Sequence, residues 1–331
     1  GEAVERFTIY HLPFTIYDLG VGERTNKSIT MNKLLLIIAF VPGCLFSQQV
    51  ADTAYHPEIP NPEYGRGQGP VVFIDEGHHN FHTKNGRYLP FSILLERDGY
   101  TVQEYEGLFD KNRLGKGKIL VIANALNEKN VNDWFLPTPS AFTELEIEIV
   151  RDWVAEGGSL LLVADHMPMA GAAEELAGAF GFEFTNGFAM DTSARGPSLF
   201  YLKDQTLTEC IITKGRNRLE SVEKVASFTG QAFKIPADAV PILTFNRNHI
   251  NLLPDTAWVF NDQTTKYSVE GWSQGAYKEY GRGRIVVFGE AAMFTAQLAG
   301  PDSARVGMNS AEARQNHQLL LNVIHWLDGK L

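Results

Sequence analysis

Four short, uninterrupted apolar runs punctuate the chain: Val71–Ile74, Lys118–Ala123, Ser159–Ala164 and Arg284–Phe288. Each is the length of a strand and shows no alternation, the pattern of a strand buried on both faces. Between them lie segments of helical pattern. Leu89–Arg97 reads as a helix closed by Asp98-Gly99, and a further strand follows at Thr101–Tyr105. Thr143–Glu156 is the clearest helix, with Leu145, Ile149, Trp153 and Val154 as its apolar stripe. Thr143 and Glu146 fit a capping box, and Gly157-Gly158 provides the stop. A last helix is predicted from about residue 311 to 327, with Leu320, Val323, Ile324 and Leu327 inward. Strands alternating with helices, the strands wholly apolar, predict an α/β fold whose parallel sheet is covered on both faces. The rhythm breaks across about 190–280, where short alternating runs and turn residues predict an irregular or antiparallel insertion before the last strand and helix.

The N-terminal region follows other rules. Met31-Asn-Lys33 and the apolar run from Leu34 have the basic start and hydrophobic centre of a secretory signal. The run ends by Phe46, too short to span a bilayer as a helix, and Ser47 marks a cleavage position. The mature chain is therefore expected to be periplasmic or secreted and to carry no transmembrane span. Val41-Pro-Gly-Cys44 offers a second route, a lipoprotein signal acylated at Cys44. Residues 1–30, with the near-duplicates Phe7–Tyr10 and Phe14–Tyr17, read as upstream sequence outside the native protein. Residues 48–69, rich in Pro and Gly, read as a linker to one domain over 70–331.

Composition narrows the functional classes. Among 331 residues, 44% are hydrophobic and 21% charged, an ordinary globular balance. Acidic residues exceed basic ones by 39 to 29, which excludes the broad cationic footprint that nucleic acid requires. Two cysteines, Cys44 and Cys210, cannot build a disulfide framework or a cysteine-rich zinc site. There is no phosphate-binding Gly-rich loop opening a helix, and hence no nucleotide cofactor is expected.

Chemistry-bearing residues cluster after the apolar strands: Asp75-Glu76, Asp165-His166 and Glu290. In an open parallel sheet these positions share one rim, where ligands bind. Glu76, Asp165 and Glu290 are the candidate general bases, with His78 and His166 as acid or base. Asp75, Asn80, Arg195 and Gln274 are candidate substrate contacts, and Trp272 is a weaker one because core packing accounts for it. His78 and His82, four apart, would join Asp165 and His166 if a divalent metal is held. Each carboxylate also has a plainer reading, as a cap for neighbouring loop amides.

The segments Phe73–Thr83, Gly157–His166, Ser227–Gln231 and Gly281–Glu290, in this order, resemble the class I glutamine amidotransferase-like superfamily, nearest to its secreted bacterial ThuA-like members. The resemblance spans about 70–328 and implies a flavodoxin-like sheet with the site at the strand ends. It also implies a link with carbohydrate, and relatives that lack the nucleophile and serve as recognition domains. The departure is decisive for chemistry. No cysteine follows Leu160–Ala164, and no His-x-Glu pair follows Glu290. Without the thiolate no glutaminyl thioester forms, so glutaminase activity by that route is excluded. Two functions remain open: an exported enzyme, hydrolytic or sugar-modifying, acting on carbohydrate or a related polar small molecule, and a non-catalytic binding module of the cell envelope.

Overall fold

The computed structural model describes residues 49–331. The signal segment, the residues before it and Cys44 lie outside the described residues. Seven strands form the central sheet: β1 Val71–Asp75, β2 Thr101–Tyr105, β3 Ile119–Ala123, β4 Ser159–Val163, β5 Val240–Thr244, β6 Ser273–Tyr280 and β7 Gly283–Phe288. Their order is β2-β1-β3-β4-β7-β6-β5, with the first five parallel and the last two joined antiparallel. The parallel part has the 2-1-3-4-5 order of a flavodoxin-like sheet. The insertion is not a separate body: β5 and β6 extend the central sheet, while smaller antiparallel pairings, including Ser198–Tyr201 with Lys224–Ser227, pack beside it.

Adjacent strand residues serve opposite cores, as the pleat requires. Val72, Ile74, Val121, Leu161, Val163 and Val286 face α1 (Leu89–Arg97) and a long C-terminal helix (Asn316–Asp328). Phe73, Leu120, Ile122, Leu160, Leu162 and Val287 face α2 (Glu144–Ala155) and α3 (Met169–Gly178). This explains the absence of alternation in the strand sequences, since neither face meets water. The C-terminal helix, hereafter α4, begins five residues later than its apolar spacing suggests, because 311–315 forms turns. It is pinned to the C-terminal end of α1 by the buried pair Asp98 and His325, 2.6 Å apart.

Two expectations shift. The predicted stripe of α2 holds at Trp153 and Val154 and partly at Ile149, but fails at its start: Leu145 is 63% exposed, and Glu146 and Val150 complete the buried face. The capping box at Thr143 and Glu146 is present, and it turns the first helical turn so that Glu146, rather than Leu145, faces inward. The predicted linker 48–69 is, over its described residues, part of the fold: Val50–Ala51 pairs antiparallel with Gln297 and Leu298, and the stretch after it, without helix or strand, lies against the core through Tyr55, Ile59 and Tyr64. Among the described residues no helix is long and apolar enough to cross a membrane.

The phase of α2 is open to direct measurement. Val150→Ala should cost about 2 kcal/mol in urea unfolding, whereas Leu145→Ala should stay within about 0.5 kcal/mol of the wild type. Equal losses at both positions would contradict the observed face.

Candidate active site at the strand ends

The parallel register brings the carboxyl ends of β1, β3, β4 and β7 into a row. Residue by residue, that row carries Asp75, Asn124, Asp165 and Glu290. The expected gathering of Asp75, Asp165 and Glu290 on one rim is therefore what the sheet builds, but the groups have different tasks.

Asp75 is fully buried and belongs to the loop. Its oxygens accept from the Gly77 amide at 3.1 Å, Asn80 Nδ2 at 2.9 Å and His78 Nδ1 at 2.9 Å. The other ring nitrogen of His78 lies 2.9 Å from Glu146 Oε1, and the ring is held between Phe109 and Phe142. His78 thus clamps the loop after β1 to the start of α2. Burial opposes its charge, but the hydrogen bonds and charges of Asp75 and Glu146 outweigh that and hold its pKa above the ordinary value. Glu146 is also penalised by burial, yet the Thr143 and Phe109 amides and His78 bring its pKa below the usual carboxylate range. His78 has no free nitrogen for catalysis or for a metal, and Asn80 is spent on the same loop. Glu76 is half-buried and accepts the Lys84 amide at 2.7 Å; burial, with Glu104 and Glu106 nearby, raises its pKa.

The open chemistry lies between β3, β4 and β7. Asp165 keeps 13% of its side chain exposed, and its Oδ1 accepts its neighbour His166's amide at 2.9 Å. The His166 ring stacks on Phe188, 4.2 Å between centroids, and meets the edge of Trp258 at 4.7 Å, with Trp134 at 6.2 Å. Its Nδ1 lies 2.7 Å from the Met167 carbonyl, and its Nε2 is 4.0 Å from Asp165 Oδ1. Burial lowers the pKa of His166 despite Asp165, so the ring is neutral at neutral pH. Glu290 is buried and accepts the amides of Ala292 and Met293, both at 2.8 Å. Burial and then the charge of Asp165 raise its pKa well above the carboxylate range, against those amides. Tyr88, buried beside both acids, is likewise raised by burial, Glu290 and Asp165.

Gly230 makes this arrangement fit. Its φ is +101°, and a Cβ there would sit 2.1 Å from the Gly289 carbonyl and 2.8 Å from Glu290 Cβ. Gln274, at the same place, donates to the Thr229 carbonyl at 2.7 Å, and its Oε1 is buried without a partner. Arg195 is not drawn in; it is exposed on the loop between Phe188–Asp191 and Ser198–Tyr201. Trp272 packs against the core beside Tyr267. His82 is buried, bonded to Asn124 rather than to His78 or His166. The metal quartet is therefore not assembled: among the described residues no three His, Cys, Asp or Glu side chains form a cluster able to hold a metal.

The sequence reading passed over Asn124, Tyr88, Glu146, Trp134 and Trp258. Asn124 carried a signal, since it directly follows a buried strand as Asp165 does. The aromatic residues carried none, because they reach the rim from loops distant in sequence. A cleft of about 620 Å³ runs along α3, lined by Thr138, Gly171, Glu174, Glu175, Glu183 and Phe184 among others. It shares no residue with the rim and contains no histidine, so the strand ends remain the candidate site.

No family model and no curated protein matches the chain. Among solved structures, the mmIFT52 N-terminal domain matches with a TM-score of 0.54 and 14% identity over 78% of this chain and 97% of that one. A cytoplasmic protein from Salmonella typhimurium LT2 matches with a TM-score of 0.43 and 14% identity, over 78% and 98% of the two chains. A protein from Bacteroides uniformis ATCC 8492, described as ThuA-like, matches with a TM-score of 0.44 and 10% identity, over 82% and 94%. The likeness is one of fold. What the site does must come from its own residues.

Two pH dependences follow. The contribution of His78 is full below its ordinary value of 6.5 and is lost as pH rises through its elevated value. His78→Leu should cost about 3–5 kcal/mol near pH 6 by stranding two buried carboxylates. The gap to wild type should narrow in urea titrations as pH rises; a gap that widens would refute the clamp. Glu290, raised from 4.5, stabilises the fold fully below that value and loses its contribution as pH rises through the higher one. Unfolding of Glu290→Gln should therefore show less loss of stability between pH 5 and 8 than the wild type, and parallel curves would place an ionised glutamate there.

Proposed function

We propose that the protein binds a carbohydrate or a related polar small molecule at the strand-end rim and transforms it by acid–base chemistry centred on Asp165 and His166, with Glu290 holding the proton between neighbouring acids. The observation that carries this reading is the position of His166, its Nε2 4.0 Å from Asp165 and its ring set among Phe188, Trp258 and Trp134. A neutral imidazole beside a carboxylate is the equipment of a general base. Aromatic faces bordered by polar edges suit a sugar, which has an apolar C–H face and a hydroxyl perimeter. No step passes through a metal, because the donors do not converge. Hydrolysis or another sugar modification is within reach of such a base, which would take a proton from a bound water or hydroxyl. Export is part of the proposal and rests on the basic start and apolar run at Met31–Ser47.

One observation favours a second reading, a non-catalytic binding module. Asp75, Glu76 and Glu290 all spend oxygens on amides of their own loops, as structural caps do. Activity of the full chain against a panel of reducing sugars and nitrophenyl glycosides, with binding read in parallel, separates the two. Asp165→Asn and His166→Ala should each lower turnover by about 10²-fold or more. Sugar binding without turnover in the wild type selects the binding module; neither binding nor turnover anywhere on the panel ends both carbohydrate readings.

A further inference from the structure

Hydrogen-bond partners at the rim settle which ring nitrogen carries the proton in two histidines. The amide of Asp165 can only donate, and its acceptor is Asn124 Oδ1 at 2.8 Å. That fixes the orientation of the Asn124 amide, so its Nδ2, which can only donate, is the atom 3.2 Å from His82 Nδ1. His82 Nδ1 must then present a lone pair, and the proton sits on Nε2. A doubly protonated ring would set N–H against NH2. Burial and nearby Arg87 agree, holding the His82 pKa down to about 3. Among the described residues the His82 ring makes one hydrogen bond, the one at Nδ1.

His166 has the opposite form. Met167's carbonyl can only accept, and it lies 2.7 Å from His166 Nδ1. The proton is on Nδ1, and Nε2 carries the lone pair.

We infer that His82 and His166 are a donor–acceptor pair of opposite, fixed tautomers, both tied to Asp165, with His82 offering Nε2–H to a substrate oxygen and His166 offering its Nε2 lone pair to a substrate hydroxyl. The inference rests on the carbohydrate reading above and names the class more closely: a neutral sugar or glycoside rather than a uronic acid. Sugar hydroxyls suit both partners, as acceptors for one and donors for the other. An ionised carboxylate has no hydrogen to give His166 and would bring a second negative charge against Asp165. Asn124 is the positioning residue. Its amide links the two loops and sets the His82 tautomer without touching substrate.

Long-range ¹H–¹⁵N NMR of the ¹⁵N-histidine-labelled full chain, without ligand and between pH 6 and 8, reads both tautomers directly. Among the signals of the nine histidines, the expected spectrum includes a neutral ring protonated at Nε2 that is lost in His82→Gln and one protonated at Nδ1 that is lost in His166→Gln. His82 protonated at Nδ1, or a charged His82 ring in this range, overturns the pair. Asn124→Asp, which still accepts from the Asp165 amide but cannot donate, should move the His82 proton to Nδ1; an unchanged His82 signal would remove Asn124 from the scheme. Saturation-transfer NMR with methyl β-D-glucopyranoside and D-glucuronate should favour the neutral sugar by about tenfold or more, roughly one net hydrogen bond. Equal or stronger glucuronate binding overturns the selectivity. Sugar binding with reversed tautomers sinks the pair alone, whereas correct tautomers with neither sugar bound sink the carbohydrate reading on which the pair's role depends.

Discussion

The site depends on one strand being held on both sides. β4 pairs in parallel with β3 and with β7, Leu160 lying opposite Leu120 on one side and Ile285 on the other. A one-residue slip on either side would exchange the two buried faces of the strand. Leu161 and Val163 would leave the α1–α4 core for the α2–α3 core, and Leu160 and Leu162 would do the reverse. Hydrophobic packing therefore fixes the register, and the register fixes the chemistry, since Asn124, Asp165 and Glu290 follow three neighbouring strands. The backbone continues the constraint past the sheet. The Asn124 amide donates to the Val163 carbonyl, and the Ala164 amide to that of Phe288.

A row of acids beside a dry core needs compensation, and the molecule provides it in two ways. At β1, Asp75 and Glu146 are bridged by a histidine whose two nitrogens are both engaged, which makes a rigid support and leaves nothing reactive. At β4 and β7 there is no bridging cation. The Asp165 carboxylate keeps some contact with water, and Glu290 is driven toward its protonated form by burial and by that neighbour. The first arrangement spends its groups on architecture. The second leaves Glu290 with a raised pKa beside a carboxylate, the kind of perturbed group that marks candidate acid–base chemistry. Similar residue types thus separate into support and candidate chemistry by what lies within 3 Å of them.

The strands and their parallel pairing were legible in the sequence because a strand buried on both faces must be apolar throughout, and Val71–Ile74 and Leu160–Ala164 state that locally. The rim was legible for the same reason, as a polar residue ending such a run marks where the apolar interior of the sheet stops. The inward side of the first turn of α2 was not, because a buried Glu146 reads as surface until its partners, His78 and the Phe109 amide, are known from the fold. His78 looked reactive for the complementary reason: its second carboxylate lies 68 positions away. The aromatic wall around His166 comes from Trp134, Phe188 and Trp258, whose approach depends on pairing between 134–136 and 255–257 that no local pattern encodes.

Asn124 shows how backbone and side chain combine at such a rim. Its φ is +52°, a left-handed conformation that costs most residues about 1 kcal/mol or more and that glycine adopts freely. Glycine would satisfy the turn and let the 124 carbonyl still accept the Phe81 amide. It would leave the Asp165 amide and His82 Nδ1 without the partner they now share. Asparagine is the residue that tolerates the left-handed turn and also carries an acceptor and a donor on one rigid plane. Aspartate tolerates the turn but cannot donate, and a threonine or valine would resist the backbone conformation. The conformational cost at this one residue is offset by joining the loops after β1, β3 and β4 in a single polar link. That link is why the rim can hold a histidine in a defined tautomer at a place where the sheet itself ends.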